Sequence, residues 1–343
     1  MLQTHWLRGL PWRVFRRARR TSVQVGIYRS ATHLVAARVR LDADAGYGIE
    51  QLEAVDLKNQ RDEAAVAQLI HTGILRNAPA ILVLGAENYN TYPLPAPMVP
   101  AGEMREALRW KLRDMLPYSP EDAVVEFVPL KRNEDSNAAD NLLAVAAPRR
   151  SVAQAVSPLL SAGVDVQVVD IAEMAQANLL GELPGAESGR ALLGLDETSA
   201  LLTVVHQDEL CLARRIQIPR SPDGEEDDPE HIASRIATQV QRSLEVVERN
   251  SGLAPVRSVW IGPHPYCALI ARCTTEQSGL ECPQLDLQAE LRFDATAREP
   301  APHLASAALI AIGAGLRSEH AAATSRPPRE TPALSWLSRL KPA

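Results

Sequence analysis

The stretch SVQVGIYRSATHLVAARVRL, residues 22–41, decides how this chain of 343 residues begins to fold. Apolar and polar residues alternate at its start, and Val23, Val25 and Ile27 share one face, as in a half-buried β-strand. A turn rich in Asp and Gly separates this stretch from a third apolar run at 49–57. We therefore predict a three-stranded meander at the start of the first folded unit.

A second stretch of the same character, ALLGLDETSALLTVV at 191–205, follows a linker at 183–189 that contains Pro and Gly. Together with 209–218 it predicts a hairpin around residues 206–208. Helical and strand-like segments follow the opening hairpin in both halves, so the chain contains a weak internal repeat. Two similar α/β lobes that meet at a hinge are typical of the actin-like (ribonuclease H-like) two-lobed fold, which is the fold class we predict.

Length and composition restrict the class of protein. The chain is long enough for about two domains, and its 46% hydrophobic and 23% charged residues are ordinary for a globular protein. A net charge of −6 and an aromatic content of 4% argue against nucleic-acid binding, which needs a basic surface and rings for stacking. The four cysteines form no CxxC pair, so we predict reduced thiols in the cytoplasm and no metal site.

Residues 1–21 form a basic, amphipathic leader in which arginines alternate with large apolar side chains. At a membrane surface such rings enter the interface while the arginines meet anionic lipid. The membrane-surface candidates are Trp6, Trp12, Arg13, Arg16 and Arg17. A solvated, disordered leader is the alternative for the same composition. No apolar run reaches the ~18 residues of a membrane-spanning helix. The stretch at 321–332 is rich in Pro, Ser, Thr and Ala and lacks periodicity, so we predict a disordered tail at 318–343, with an amphipathic turn at ALSWLSRL as the alternative for its end.

Three segments resemble, in the right order, segments of the PilM-type pilus assembly proteins. They are ALRWKLRDMLPYSPEDAVVEF at 107–127, LLAVAAPRRSVAQAVSPLLSAGVDVQVVDIAEMAQANLL at 142–180 and HLASAALIAIGAGLR at 303–317. The first is similar to the family's ALRWE-like helix and the stretch after it, the second to its connecting segment, and the third to its closing Ala/Gly helix. The divergent sequence and the basic leader look most similar to the MshI branch, which serves mannose-sensitive haemagglutinin (MSHA) pili.

The resemblance covers about residues 22–317 and implies a cytoplasmic actin-like protein that lies under the inner membrane. It implies a first lobe at 22–182 with a small α+β subdomain inserted at about 88–147, and a second lobe at 190–317. It also implies docking on the cytoplasmic tail of a bitopic, PilN-like inner-membrane protein, and through it a link to the pilus assembly machinery.

The resemblance places the partner's tail in a groove between the first lobe and the inserted subdomain. The candidate partner-binding residues are Asn90, Tyr92, Arg105, Arg109 and Trp110. The last three belong to a helix predicted at 102–116, whose buried stripe is Met104, Leu108, Leu112 and Met115. Trp110 faces away from this stripe, so it either docks a partner or packs on neighbouring strands of its own subdomain.

The family's phosphate-binding loops are altered in this chain. The first reads roughly vGiDlGs-siKav in the family and VGIYRSATHLVAARV here, so Tyr28 stands at the aspartate that holds Mg²⁺ through water and Ser30 at a glycine. The second reads roughly lvDiGa-sTnltv in the family and LLGLDETSALLTV here, so Gly194 stands at the aspartate and Asp196 at a glycine. A carboxylate at that position repels phosphate.

The adenosine loop of the family, roughly l-GGga, reads GPHP at 262–265 in this chain. The positions that could still contact a nucleotide are Ser30, Asp170, Asp196, Thr198 and Gly262, for which ordinary turn and cap chemistry is the alternative. We predict a degenerate, non-catalytic ATPase fold, with ATP and Mg²⁺ disfavoured as cofactors. The alternative is an actin-like ATPase whose nucleotide state regulates pilus assembly. A sugar or acetate kinase would need a base beside an acceptor pocket, and the sequence has no such constellation.

Overall fold

The computed structural model describes residues 22–42, 46–58, 60–132, 141–184, 189–196, 198–218, 228–295, 297–298 and 300–317. Its first sheet has five strands. In spatial order they are β3 (Gly46–Asp56), β2 (His33–Asp42), β1 (Ser22–Arg29), β4 (Ala80–Val83) and β8 (Val166–Asp170). The first three strands form the predicted antiparallel meander, while β4 is parallel to β1 and β8 is parallel to β4. Helices α1 (Asp62–Thr72) and α3 (Arg149–Ser161) pack against each other beside this sheet.

A smaller antiparallel sheet is inserted between β4 and β8. Its spatial order is β5 (Asn90–Pro95), β7 (Asn141–Pro148) and β6 (Ala123–Pro129). Helix α2 (Met104–Leu112) covers one face of it and buries Met104, Leu108 and Leu112 completely. The helix was expected to continue to Leu116, but it ends four residues earlier and leaves Met115 51% exposed. Beyond Leu112 the chain continues as turns, in which the amides of Met115 and Leu116 both donate to the carbonyl oxygen of Leu112.

The second lobe contains a four-stranded sheet in the order β11-β10-β9-β12. The strands are β9 (Gly189–Leu195), β10 (Ser199–His206), β11 (Glu209–Gln217) and β12 (Val256–Ile261), and the helices are α5 (Pro229–Ser251), α6 (Cys267–Ser278) and the short α7 (Leu287–Glu290). The single strand expected at 191–205 is therefore two antiparallel strands. Apolar residues on both sides of the turn at 196–198 conceal it in the sequence. Beside β12, Glu281 and Gln284 form isolated parallel bridges with Ser258 and Ile261.

Two helices lie between the sheets, α4 (Ala172–Glu182) and α8 (Ala305–Gly315), and they pack against each other. Helix α8 also contacts β1, β2 and β4, while α4 contacts β9, β10 and β11. Glycine permits this close approach, because a Cβ on Gly313 would lie 2.1 Å from the carbonyl oxygen of Ala175. A Cβ on Gly26 of β1 would likewise lie 2.0 Å from the carbonyl oxygen of Ala311. The helix pair thus joins two α/β units along one buried seam.

Candidate functional site

The turns that follow β1, β9 and β12 carry most of the residues predicted to contact a nucleotide. Tyr28 at the end of β1 is buried, and burial raises the pKa of its phenol, with the nearby Asp196 carboxylate of the other lobe as the second cause. After β12, the amide N–H of Gly262 donates to the carbonyl oxygen of Leu193 on β9 at 2.9 Å. The structure therefore brings the ends of these three strands together between the lobes.

The first turn uses its own hydroxyl to satisfy its amides. The hydroxyl oxygen of Ser30 accepts from the amide N–H of His33 at 2.9 Å and from that of Thr32 at 3.3 Å. The same hydroxyl donates to the carbonyl oxygen of His33 at 3.1 Å. A phosphate-binding loop presents free backbone N–H groups to its ligand. In this turn the two groups best placed for that task already have an acceptor.

The second turn is preceded by Gly194, which has no side chain, and the side chain of Gln176 lies beside it. A Cβ on Gly194 would lie 1.8 Å from the amide nitrogen of Gln176 on α4. Gln176 is buried, and its carbonyl oxygen accepts from the hydroxyl of Thr203 at 2.8 Å. Asp196 and Thr198 are exposed. The amide of Asp196 donates to the carbonyl oxygen of Ser199, and the carbonyl oxygen of Thr198 accepts from the amide of Ile218 beside β11. A larger residue at position 194 would require Gln176 to move.

The third turn is shaped by two prolines. Gly262 packs against β9, where an added Cβ would lie 3.1 Å from the carbonyl oxygen of Leu193. Pro263 and Pro265 have no N–H to donate, and the ring nitrogen Nδ1 of His264 accepts from the amide of Tyr266 at 3.2 Å. The turn consequently offers few backbone donors to a ligand.

Asp170 lies at the end of β8 and is only 5% exposed. One carboxylate oxygen accepts from the amide of Ile171 at 2.9 Å, and the other pairs with the guanidinium of Arg317 at 2.5 Å, beyond the end of α8. Both oxygens therefore have partners within the fold. This geometry is what the alternative of turn and cap chemistry predicts for this residue.

Two features of these turns oppose the binding of a magnesium–nucleotide complex. The amides of the first turn are satisfied by Ser30, and the space beside Gly194 holds Gln176. Among the described residues, no group of three His, Cys, Asp or Glu side chains is placed to hold a metal ion. We therefore derive no chemical step through ATP or Mg²⁺ at this site.

A buried polar cluster that the sequence did not reveal crosses between the lobes. Glu173 of α4 is 1% exposed, and its carboxylate accepts from the hydroxyl of Tyr89 at 2.6 Å and from the guanidinium of Arg215 on β11 at 3.0 Å. Arg215 also donates to the oxygen of Tyr89 at 3.0 Å. Burial raises the pKa of Tyr89 well above its ordinary value, and the Glu173 charge adds to this shift. Tyr89 therefore stays protonated and donates.

The predicted partner-binding residues all lie on the inserted subdomain. Asn90 and Tyr92 are on β5, with Asn90 exposed and the Tyr92 hydroxyl donating to the carbonyl of Met115 at 3.3 Å. Arg105 pairs with Glu126 at 2.8 Å, and Arg109 pairs with Glu106 at 2.6 Å. Trp110 is 63% exposed, so the alternative of a Trp packed on neighbouring strands is wrong.

Two further large apolar side chains of this subdomain are exposed, Met98 by 82% and Met115 by 51%. The sequence pointed to Trp110 only, because Met98 lies in an irregular segment and Met115 was expected in a buried stripe. Trp6, Trp12, Arg13, Arg16 and Arg17 belong to the leader, which lies outside the described residues, as does the tail at 318–343. Within the described residues, no helix is long and apolar enough to cross a membrane.

Comparison with known proteins identifies the fold. No protein-family model and no curated protein matches the sequence. A chain of the PilM–PilN type IV pilus biogenesis complex is similar to this structure with a TM-score of 0.63 and 19% identity, covering 86% of this chain and 98% of that one. A second similar structure is the cytoplasmic domain of EpsL, an inner membrane component of the type II secretion system of Vibrio cholerae. It matches with a TM-score of 0.47 and 15% identity, covering 92% of this chain and 98% of that one. The likeness to the PilM–PilN chain shows that this chain has the actin-like fold, as predicted.

Proposed function

We propose that this chain is a non-catalytic platform of type IV pilus biogenesis, of the MshI (MSHA-pilus) kind, that docks on the cytoplasmic tail of a bitopic, PilN-like inner-membrane protein. The observation that carries the proposal is the likeness to a chain of the PilM–PilN complex, which extends over 98% of that chain. In this proposal the protein lies in the cytoplasm at the inner membrane and connects the tail to the pilus assembly machinery. It has no nucleic-acid partner.

The organisation of the chain follows from the same proposal. The first lobe is assigned to 22–182 with the subdomain inserted at about 88–147, and the second lobe to 190–317. The leader at 1–21 contributes a contact with anionic lipid. These limits are proposals, supported by the separate apolar cores beneath the inserted sheet and the second sheet.

The tail is proposed to bind beside the inserted subdomain. The exposed Trp110 supports this position, because a large exposed ring on a monomer is a frequent centre of a protein interface. Arg105 and Arg109 lie on the same helix and are held in ion pairs with Glu126 and Glu106, which fixes their orientation. Asn90 and Tyr92 would border the bound tail from β5.

The absence of catalysis is proposed from the three turns between the lobes. Ser30 satisfies the amides of the first turn, and Gln176 occupies the space beside Gly194, the position at which the resemblance implies an aspartate. A hard cation needs oxygen ligands, and neither Tyr28, which stays protonated, nor Gly194 supplies an anionic one. The side chains of Ser30, Gln176 and Asp170 instead bond to other groups of the protein.

The experiment is a titration of the protein with synthetic tails of the bitopic inner-membrane proteins encoded beside it, followed by fluorescence anisotropy. We expect one tail to bind, and Trp110→Ala to weaken this tail at least about tenfold, since a central aromatic anchor contributes ~2 kcal/mol. Tyr266→Ala is the matched control, because Tyr266 is an exposed aromatic residue (45%) of the second lobe. Failure of all tails to bind, or equal loss in both variants, contradicts the proposed docking.

A further inference from the structure

The second lobe has a groove between its edge strand and its long helix. A cavity of about 300 Å³ lies between β11 and α5, on the lobe opposite the inserted subdomain. Its lining is Arg214, Arg215, Ile216, Gln217, Ile232, Arg235, Ile236, Thr238 and Gln239. Strand β11 pairs with β10 on one side only, so its other side forms the edge of the sheet. A strand edge beside a helix is a geometry that receives extended peptides.

The backbone of β11 presents hydrogen-bonding groups toward this groove. The amide of Ile218 donates to the carbonyl of Thr198 at 2.9 Å, so the pairing with β10 alternates and directs the groups of Ala213, Arg215 and Gln217 outward. Among the described residues, no backbone or side-chain group bonds to these outward N–H and C=O groups. An added strand would satisfy all of them.

At the beginning of β11, another part of the chain already bonds to this strand. The amide of Lys131, just after β6, donates to the carbonyl oxygen of Leu210 at 2.7 Å, and the ammonium group of Lys131 pairs with Glu209 at 2.5 Å. A segment from outside the sheet thus pairs with the beginning of β11. The outward groups from Ala213 onward continue the line of this contact.

The side chains of the groove define the chemistry of its occupant. Ile216 and Ile236 are buried and Ile232 is half-buried, so the floor is apolar. Arg214 and Arg235 are exposed above it, and none of the nine lining residues is acidic. Within the described part of the chain, Arg214 bonds to the neutral side chains of Ser243 and Gln239 and pairs with no carboxylate. An acidic occupant is favoured because it pairs with both arginines.

We propose that the groove between β11 and α5 binds an extended acidic segment of another protein, which adds as a strand to the edge of β11. Its backbone bonds to the outward groups of Ala213, Arg215 and Gln217. One apolar side chain rests on the isoleucines, and carboxylates on either side of it meet Arg214 and Arg235. This surface belongs to the second lobe and is independent of the tail-docking proposal.

The test is binding of a labelled peptide of alternating valine and threonine with glutamates at both ends. We expect saturable binding by anisotropy, weakened about tenfold by Arg235→Glu because attraction becomes repulsion. Arg257→Glu is the matched control, since Arg257 is an exposed arginine on β12 at the opposite edge, and it should change affinity less than about twofold. The same peptide with lysine in place of glutamate should bind at least about tenfold more weakly.

Hydrogen exchange supplies a readout that side-chain attraction alone would not produce. The peptide should slow exchange of the amides of Ala213, Arg215 and Gln217, and Gln217→Pro, which removes an outward N–H, should weaken binding. Absence of binding, equal effects of Arg235→Glu and Arg257→Glu, or binding without protection of these amides would overturn the proposal. Self-association of the chain that Gln217→Pro abolishes would also overturn it, because the occupant would then be a second copy.

Discussion

Glu173 shows what a single residue can contribute between the lobes. A carboxylate that is 1% exposed loses its hydration, and the loss is offset only because Tyr89 and Arg215 both donate to it. These partners lie 84 and 42 positions away in the chain. The sequence around Glu173 predicted its helix, but nothing in a local pattern indicates which distant groups will surround a side chain. The same holds for Gln176, whose contact with Gly194 depends on how α4 meets β9.

Arg215→Ala should lower the free energy of unfolding by about 2–3 kcal/mol, because it leaves the Glu173 carboxylate buried with Tyr89 as its remaining donor of the cluster. Urea denaturation measures this change. The neighbouring Arg214→Ala is the control, since Arg214 is exposed and bonds to neutral groups, and it should change stability by less than about 0.5 kcal/mol. Equal losses in both variants would show that the cluster contributes nothing of its own.

At the scale of elements, the sequence predicted the strands and helices well and their interruptions less well. The alternation of Val23, Val25 and Ile27 predicted β1 correctly. The hydrophobic pattern did not predict the turn between β9 and β10, because the turn interrupts an apolar run whose two halves are both buried, and only the resemblance to a second phosphate-binding loop indicated it. Strand β11 was predicted as part of a hairpin, yet the groove between β11 and α5 could not be, because it depends on which strand lies at the edge of the sheet.

Gly313 tests how the central helices pack. Helix propensity alone predicts that Gly313→Ala stabilises the protein by ~1 kcal/mol. The structure predicts the opposite sign, a loss of about 1–3 kcal/mol, because the new methyl group would overlap the carbonyl oxygen of Ala175. Thermal unfolding decides between them. Gly102→Ala is the control, since a Cβ there meets nothing within 4 Å, and it should leave stability within about 0.5 kcal/mol of the parent.

At the scale of the whole molecule, the fold class was predictable because it rests on the repeated order of elements. The loss of nucleotide binding was proposed from substitutions in three loops, and the structure supplies physical support that the sequence lacked. Ser30 could be recognised as a replaced glycine, but the bonds from the amides of Thr32 and His33 to its hydroxyl are a property of the folded turn. The proximity of the three turns is likewise a property of the folded molecule, because they follow strands of two different sheets.

Millimolar Mg·ATP should therefore leave the melting temperature unchanged within ~1 °C, and calorimetry should show no binding heat. A ligand at a hundred times its Kd would stabilise the folded state by about 2.7 kcal/mol, which such a measurement detects easily. An actin-like ATPase measured alongside shows that the conditions permit binding. Micromolar affinity with steady release of phosphate would instead favour the regulatory ATPase.

The contact of Lys131 with β11 has a mechanical consequence. Its amide and ammonium groups attach the end of β6 directly to Leu210 and Glu209. The inserted sheet is therefore bonded to both lobes, and any rotation of one lobe against the other that moves β6 away from β11 would have to break the two bonds of Lys131.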